Sequence, residues 1–210
     1  MDFDLWLTFA AATVALLLIP GPTILLVLSY ALTQGRKVAV ATAAGVALGD
    51  LVAMSASLIG LGALVATSAT AFTILKWVGA VYLVFLGLKM LRSAPKEGAS
   101  LMETDANASA RPVFWHATVV TALNPKSIGF FIAFVPQFIS PASSYAPQAA
   151  ILVTTFVGLA ALNALVYALL ADRMRQQIRK PWVMRRLTQA GGVTLIGMGA
   201  LTATLRRNTI

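Results

Sequence analysis

The chain has 210 residues, 59% hydrophobic and only 11% charged, with 16 Lys and Arg against 7 Asp and Glu. A soluble domain carries about 25% charged residues, so a water-soluble globule is excluded for want of polar surface, and a mean hydropathy of +0.83 agrees. The net charge of +9 does not point to nucleic acid, because the cations lie between apolar runs rather than among aromatics on a polar face.

Six apolar segments follow one another, at about 5–32, 38–66, 72–92, 113–139, 148–171 and 190–205. Each is long enough for a hydrocarbon core of about 30 Å at about 1.5 Å per helical residue. Backbone groups cannot stay unpaired in lipid, so these spans are helices. The expectation is an all-α membrane protein with six transmembrane helices in a single transmembrane domain over 1–210.

The first segment opens on Met1, Asp2, Phe3 and Asp4, without the basic region of a secretory signal, and reads as a retained helix. Ile19-Pro-Gly-Pro22 interrupts it. Pro20 and Pro22 remove two backbone donors and disturb the carbonyls one turn earlier. Gly21 lets a backbone or ligand come close. The functional reading is a broken helix lining a substrate pathway; the structural one is a kink for packing. In the second segment, Gly45 and Gly49 form a face for close helix packing. Asp50 follows, the only acidic residue inside a predicted span. It is a proton or cation coupling site, a partner for a substrate ammonium, or half of a structural ion pair with Lys126. The third segment carries Gly79 and Gly87, read as packing positions like Gly158, Gly191, Gly192 and Gly199.

Residues 93–112 are rich in Ala, Ser, Gly and acidic residues and read as a flexible cytoplasmic linker. His116 then opens the fourth segment near the interface. Leu123-Asn-Pro-Lys126 is a helix-start signature placed mid-membrane, with Asn124 as N-cap and Pro125 at the first helical position. A half-helix beginning there carries partial positive charge, and Lys126 adds a full one. A cation at the centre of a span costs about 2.5–3.5 kcal/mol, which implies a polar cavity, a partner, or both. The arrangement suits a carboxylate. Asn163 is the polar residue of the fifth segment; Tyr82, Gln137 and Tyr167 are further side chains that could meet a substrate. Arg173–Leu187 mixes cations with Trp182, Val183 and Met184 and reads as a short surface helix or a plain cationic anchor.

The cations orient the chain. The first, third and fifth connections hold 12 of the 16 Lys and Arg residues, whereas 66–71 and 140–147 hold none. By the positive-inside rule those three connections face the cytoplasm and both termini face outward. Arg206 and Arg207 dissent.

The chain also divides into two comparable halves, repeat 1 at about 1–92 and repeat 2 at about 113–210. The Pro20–Pro22 break corresponds to Asn124–Pro125, Asp50 to Asn163, and Gly79 to Gly191. Each half has three helices, an odd number, so the halves are inserted in opposite directions. Such inverted repeats underlie many secondary transporters, with broken helices at the binding site.

On these residues the chain resembles the lysine exporter family (LysE/RhtB), in particular its homoserine/threonine efflux branch. The carrying features are Pro20-Gly-Pro22, Lys76-Trp-Val-Gly-Ala-Val-Tyr-Leu-Val-Phe-Leu-Gly87, Leu123-Asn-Pro-Lys-Ser-Ile128, Phe134-Val-Pro-Gln-Phe-Ile139 and Gly197-Met-Gly-Ala-Leu201. The resemblance implies export of amino acids or close derivatives across the bacterial cytoplasmic membrane, driven by the proton gradient. It implies no cofactor and leaves the substrate and any homo-oligomer open.

Two rival classes are weaker. A membrane enzyme or thiol carrier lacks cysteine and a ligand cluster, and the one histidine, His116, lies at the wrong depth. A structural or assembly subunit has no use for costly charges at Asp50 and Lys126.

Overall fold

The computed structural model describes residues 1–34, 36–92, 109–140, 143–171 and 180–204. The described residues form helices joined by short turns. Helix α1 runs Phe3–Leu17 and α2 Pro22–Gln34, meeting at a bend of 59°. Next come α3 (Arg36–Thr67), α4 (Ala69–Arg92) and α5 (Ala110–Ala122). Helix α6 (Pro125–Ala133) continues into a 3-10 turn, Val135–Phe138, and this unit bends by 46° from α5. Helices α7 (Tyr145–Leu169) and α8 (Pro181–Thr204) are the last among the described residues.

The breaks fall where the local chemistry demands. Pro20 and Pro22 supply no N–H for the carbonyls of Leu16 and Leu18, so α1 cannot continue. Helix α2 restarts at once, with Leu25 N–H donating to Gly21 O at 2.9 Å. Asn124 caps α6 as expected: its Oδ1 accepts from Lys126 N–H at 3.0 Å, and Pro125 follows at the first helical position.

Among the described residues, three single helices are long and apolar enough to cross a membrane, within Val38–Leu64, Thr73–Arg92 and Tyr145–Leu169; counting each bent pair as one span gives five. Helix α8 is not among them. It opens on Pro181 with Arg185, Arg186 and Gln189 in its first turns, so the sixth expected span begins as a polar helix. Trp182, Val183 and Met184 are its first residues rather than a separate surface element. Met184 is buried, and the Arg186 guanidinium lies 5.7 Å over the Trp182 ring. The expected linker ends sooner than its composition suggested, because Ala110, Arg111 and Pro112 are already the first turn of α5. The expectations for 93–108 and for Arg173, Arg175 and Arg179 lie outside the described residues.

Packing divides the molecule into two apolar clusters. One gathers Phe9, Leu16, Met54, Leu58, Phe130, Phe131, Phe134, Phe138 and Phe156, with Phe131 and Phe156 edge to face at 4.8 Å. The other gathers Ile24, Val27, Tyr30, Val38, Val46, Val113, Ala117, Ala164 and Met184. Five elements take part in both, α8 among them with Met184 in the second and Leu195 and Met198 in the first, and the other four change cluster at positions that the sequence singled out. The α1–α2 unit crosses at Pro20–Pro22, α3 at Asp50, α5–α6 at Asn124–Lys126 and α7 at Asn163. Lipid is as apolar as the side chains, so close backbone approach does much of the packing work. A Cβ on Gly45 or Gly49 would run into the carbonyl of Phe114 or Thr118 on α5, and one on Gly87 would meet Gly192 O on α8. Gly158 departs from the expected packing role, since nothing lies within 4 Å of its added Cβ.

Candidate functional site

The crossing points converge on one buried cavity of about 20 Å³, lined by Leu16, Leu17, Gly21, Thr23, Asp50, Asn124, Lys126, Ser127 and Asn163 among others. The residues that the sequence singled out therefore meet: Gly21 from the first break, Asn124 and Lys126 from the second, and Asp50 and Asn163 from the helices between. Pro20 and Pro22 flank Gly21 and terminate the carbonyl array described below. Pro125 faces away. It lines a separate apolar groove of about 300 Å³ with Leu75, Val78, Tyr82, Leu123 and Ile132.

Ending α1 at the Pro-Gly-Pro leaves the carbonyls of Leu16, Leu17, Leu18 and Ile19 without their usual helical donors four residues on. Buried carbonyls left unpaired are costly. Side chains from the second half of the chain meet all four. Lys126 Nζ donates to Leu16 O at 3.1 Å and to Ile19 O at 2.9 Å. Asn163 Nδ2 donates to Leu17 O at 3.2 Å. Tyr167 OH donates to Leu18 O at 3.1 Å. The positive end of one half-helix thus sends its cation to the negative end of the other, where a helix macrodipole favours it.

Asp50 stands in this cavity at 2% exposure, and its Oδ1 has no hydrogen-bond partner. Lys126 and Asp50 share the cavity without a hydrogen-bonded pair between them, because the ammonium is engaged with α1. A carboxylate so placed is stabilised only when a proton, a cation or a donor reaches it. Opposite, Asn124 Nδ2 donates to Thr23 Oγ1 at 3.1 Å, and Thr121 Oγ1 donates to the same oxygen at 3.4 Å.

Thr23 was not singled out from sequence; its only signal is a hydroxyl directly after Pro22. Tyr167 was named without a rank. Its spacing from Asn163 places both on one helix face, four residues apart, and that was the available clue. Gln137 and Tyr82 lie away from the cavity: Gln137 Nε2 donates to Ala133 O at 3.5 Å, and the Tyr82 ring packs where a Cβ on Gly129 would fall. His116 is exposed and shares a 2.8 Å hydrogen bond with the Tyr30 hydroxyl.

The profile of the LysE type translocators matches residues 14–205. The chain belongs to this family. As a LysE type translocator it is a multi-pass bacterial membrane protein that moves a solute and is not an enzyme. A Vibrio cholerae relative, described as an uncharacterized membrane protein, is 34% identical over 206 residues, covering 98% of this translocator and 100% of the relative. The homoserine/homoserine lactone efflux protein of Salmonella typhimurium is 35% identical over 207 residues, covering 98% and 99%. A Pseudomonas aeruginosa membrane protein without an assigned activity is 37% identical over 203 residues, covering 94% and 90%. No solved structure matches this translocator at a significant level.

Proposed function

We propose that this translocator is a secondary exporter of amino acids or close derivatives, coupled to the proton gradient and working by alternating access around the central cavity. The single observation that carries the reading is the convergence of both helix breaks, Asp50, Lys126 and Asn163 on one buried polar cavity. A relative of matching length is named for homoserine and homoserine lactone efflux, which makes a small amino acid the first cargo to test. The cargo carboxylate approaches Asn124 and Lys126 at the helix start that Pro125 sets, its ammonium approaches Asp50, and Pro20, Gly21, Pro22 and Asn163 shape the pathway. Asp50 also takes the coupling proton.

At about 20 Å³ the cavity holds about one water molecule, whereas ligand pockets run to about 300–1,000 Å³. The conformation is accordingly a closed one, and cargo entry requires the seam to open. Two inverted three-helix repeats, about 1–92 and 113–210 with a linker at 93–112, make six spans and provide the moving parts. In support, the counterpart helices α3 and α7 pack together, as do α4 and α8. The cation asymmetry puts the protein in the cytoplasmic membrane with both termini outside. Pairing of whole exporters into a homo-oligomer is compatible with this arrangement.

The test is amino-acid efflux, with homoserine first, from loaded vesicles carrying the wild type, Asp50→Asn or Lys126→Ala. Each substitution is expected to slow efflux by about tenfold or more, a barrier change of about 1.4 kcal/mol. Wild-type rates in both variants would overturn the charge-based mechanism.

A further inference from the structure

The Lys126 ammonium is held as a ligand would be. It carries three N–H donors, and two go to the carbonyls of Leu16 and Ile19 at 3.1 and 2.9 Å. These carbonyls form the C-terminal end of a half-helix, which carries partial negative charge. The ammonium rests over Gly21, where an added Cβ would lie 3.6 Å from Nζ, so no side chain fills the slot beside it. Across the same cavity stands Asp50, buried, with Oδ1 unpartnered. Two carbonyls and a carboxylate are a fitting set of acceptors for one primary ammonium. Lys126, tethered to α6, uses the two carbonyls and leaves the carboxylate oxygen unmet.

We propose that the carbonyl end of α1, with Asp50, is a primary-ammonium site, and that Lys126 occupies it as an internal stand-in for the ammonium of the cargo. The cargo ammonium displaces Lys126 from Leu16 O and Ile19 O and adds Asp50 as its third acceptor. The released Lys126 then meets the cargo carboxylate at the start of α6. The two carbonyls keep an ammonium throughout, because one replaces another, and Asp50 gains the partner it lacks at rest. This deepens the exporter reading and rests on it for the identity of the cargo. The site accepts a free primary amine beside a carboxylate and rejects N-acylated or quaternary amines, which cannot offer three N–H donors.

The ammonium site can be tested without transport. Truncating Lys126→Ala opens a space beside two carbonyls that have lost their ammonium, Leu16 O keeping a 3.3 Å bond from Ile19 N–H. Melting midpoints of the purified wild type and Lys126→Ala are compared in chloride salts of methylammonium, tetramethylammonium and sodium at equal ionic strength. Methylammonium is expected to raise the midpoint of Lys126→Ala progressively with concentration, as mass action requires. Tetramethylammonium and sodium are expected to have no such effect, and the wild type, already occupied, to respond little to any of the three. Equal responses of Lys126→Ala to methylammonium and tetramethylammonium overturn the proposal. If Lys126→Ala folds in none of these salts, Lys126→Leu decides: it restores apolar bulk without any donor to the two carbonyls, and the same methylammonium preference is required of it. In wild-type vesicles, homoserine is expected to compete with labelled homoserine for efflux while N-acetylhomoserine does not. Absence of any homoserine transport would count against the cargo and leave the methylammonium result to judge the site; competition by the N-acetyl form would overturn the cargo exchange.

Discussion

Four consecutive carbonyls, Leu16 to Ile19, decide much of the chemistry at the centre of this chain. Tyr167→Phe keeps the ring and removes only the donor to Leu18 O. Losing this part-buried hydrogen bond is expected to cost about 0.5–1.5 kcal/mol, measurable by denaturant titration in detergent micelles; no loss of stability would mean that another group takes over the carbonyl. Asn124 does two things at once, accepting from Lys126 N–H and donating to Thr23. Asn124→Ala is expected to lose about 1 kcal/mol from the missing cap alone. Asn124→Asp keeps the cap and loses the donor, so its stability is expected to fall between Ala and wild type in the same titration. The cap itself was legible in the sequence, because Asn-Pro is a local signal whose meaning does not depend on distant residues. The partners of Lys126 were not. They are main-chain oxygens, identical at every position, and only the fold reveals which ones the prolines leave unpaired. The sequence therefore pointed Lys126 toward an anion, while at rest it serves the carbonyl end of α1.

At the level of helices, the apolar runs located five of the six expected spans on single or bent helices long and apolar enough to cross a membrane, since hydropathy follows from the solvent each residue faces. The starts of α5 and α8 were less legible. Polar and charged residues occupy the first turns of both, and Pro112 and Pro181 are well tolerated there. Glycines, too, look alike in a sequence while meeting different surroundings. A Cβ on Gly87 would come within 2.5 Å of Gly192 O, and one on Gly192 within 2.7 Å of Gly87 O, so α4 and α8 touch backbone to backbone. Gly87→Val is expected to force these helices apart and to destabilise by about 1–3 kcal/mol, as overpacked cores do. Gly158→Ala, with open space around it, is expected to be neutral or to stabilise by up to about 1 kcal/mol through helix propensity. Both are read by chemical denaturation, and a reversed order would show that the α4–α8 contact is not tight.

For the whole molecule, orientation and opening can be read on one background, because the chain has no cysteine to remove. Ser143 and Ser109 are exposed at opposite ends of the α5–α6 unit. Ser143→Cys is expected to react with a membrane-impermeant thiol reagent added outside intact cells. Ser109→Cys is expected to react only after permeabilisation. The reverse pattern would invert the proposed topology. A cysteine at Thr23, on the wall of a cavity of about 20 Å³, is expected to be shielded at rest and to react faster while cargo is moving. Equal labelling with and without cargo would count against a cavity that opens.

The four-carbonyl contact has a consequence for assembly. Its carbonyls belong to one half of the chain, and Lys126, Asn163 and Tyr167 belong to the other. Between helices in lipid there is little hydrophobic force, and packing and hydrogen bonds must supply the adhesion. Expressed as two separate polypeptides divided between residues 92 and 109, the halves should then find one another through the groups that line the cavity. Adhesive and working surface would be the same few atoms, so the molecule could not loosen its grip on itself without changing what it is able to hold.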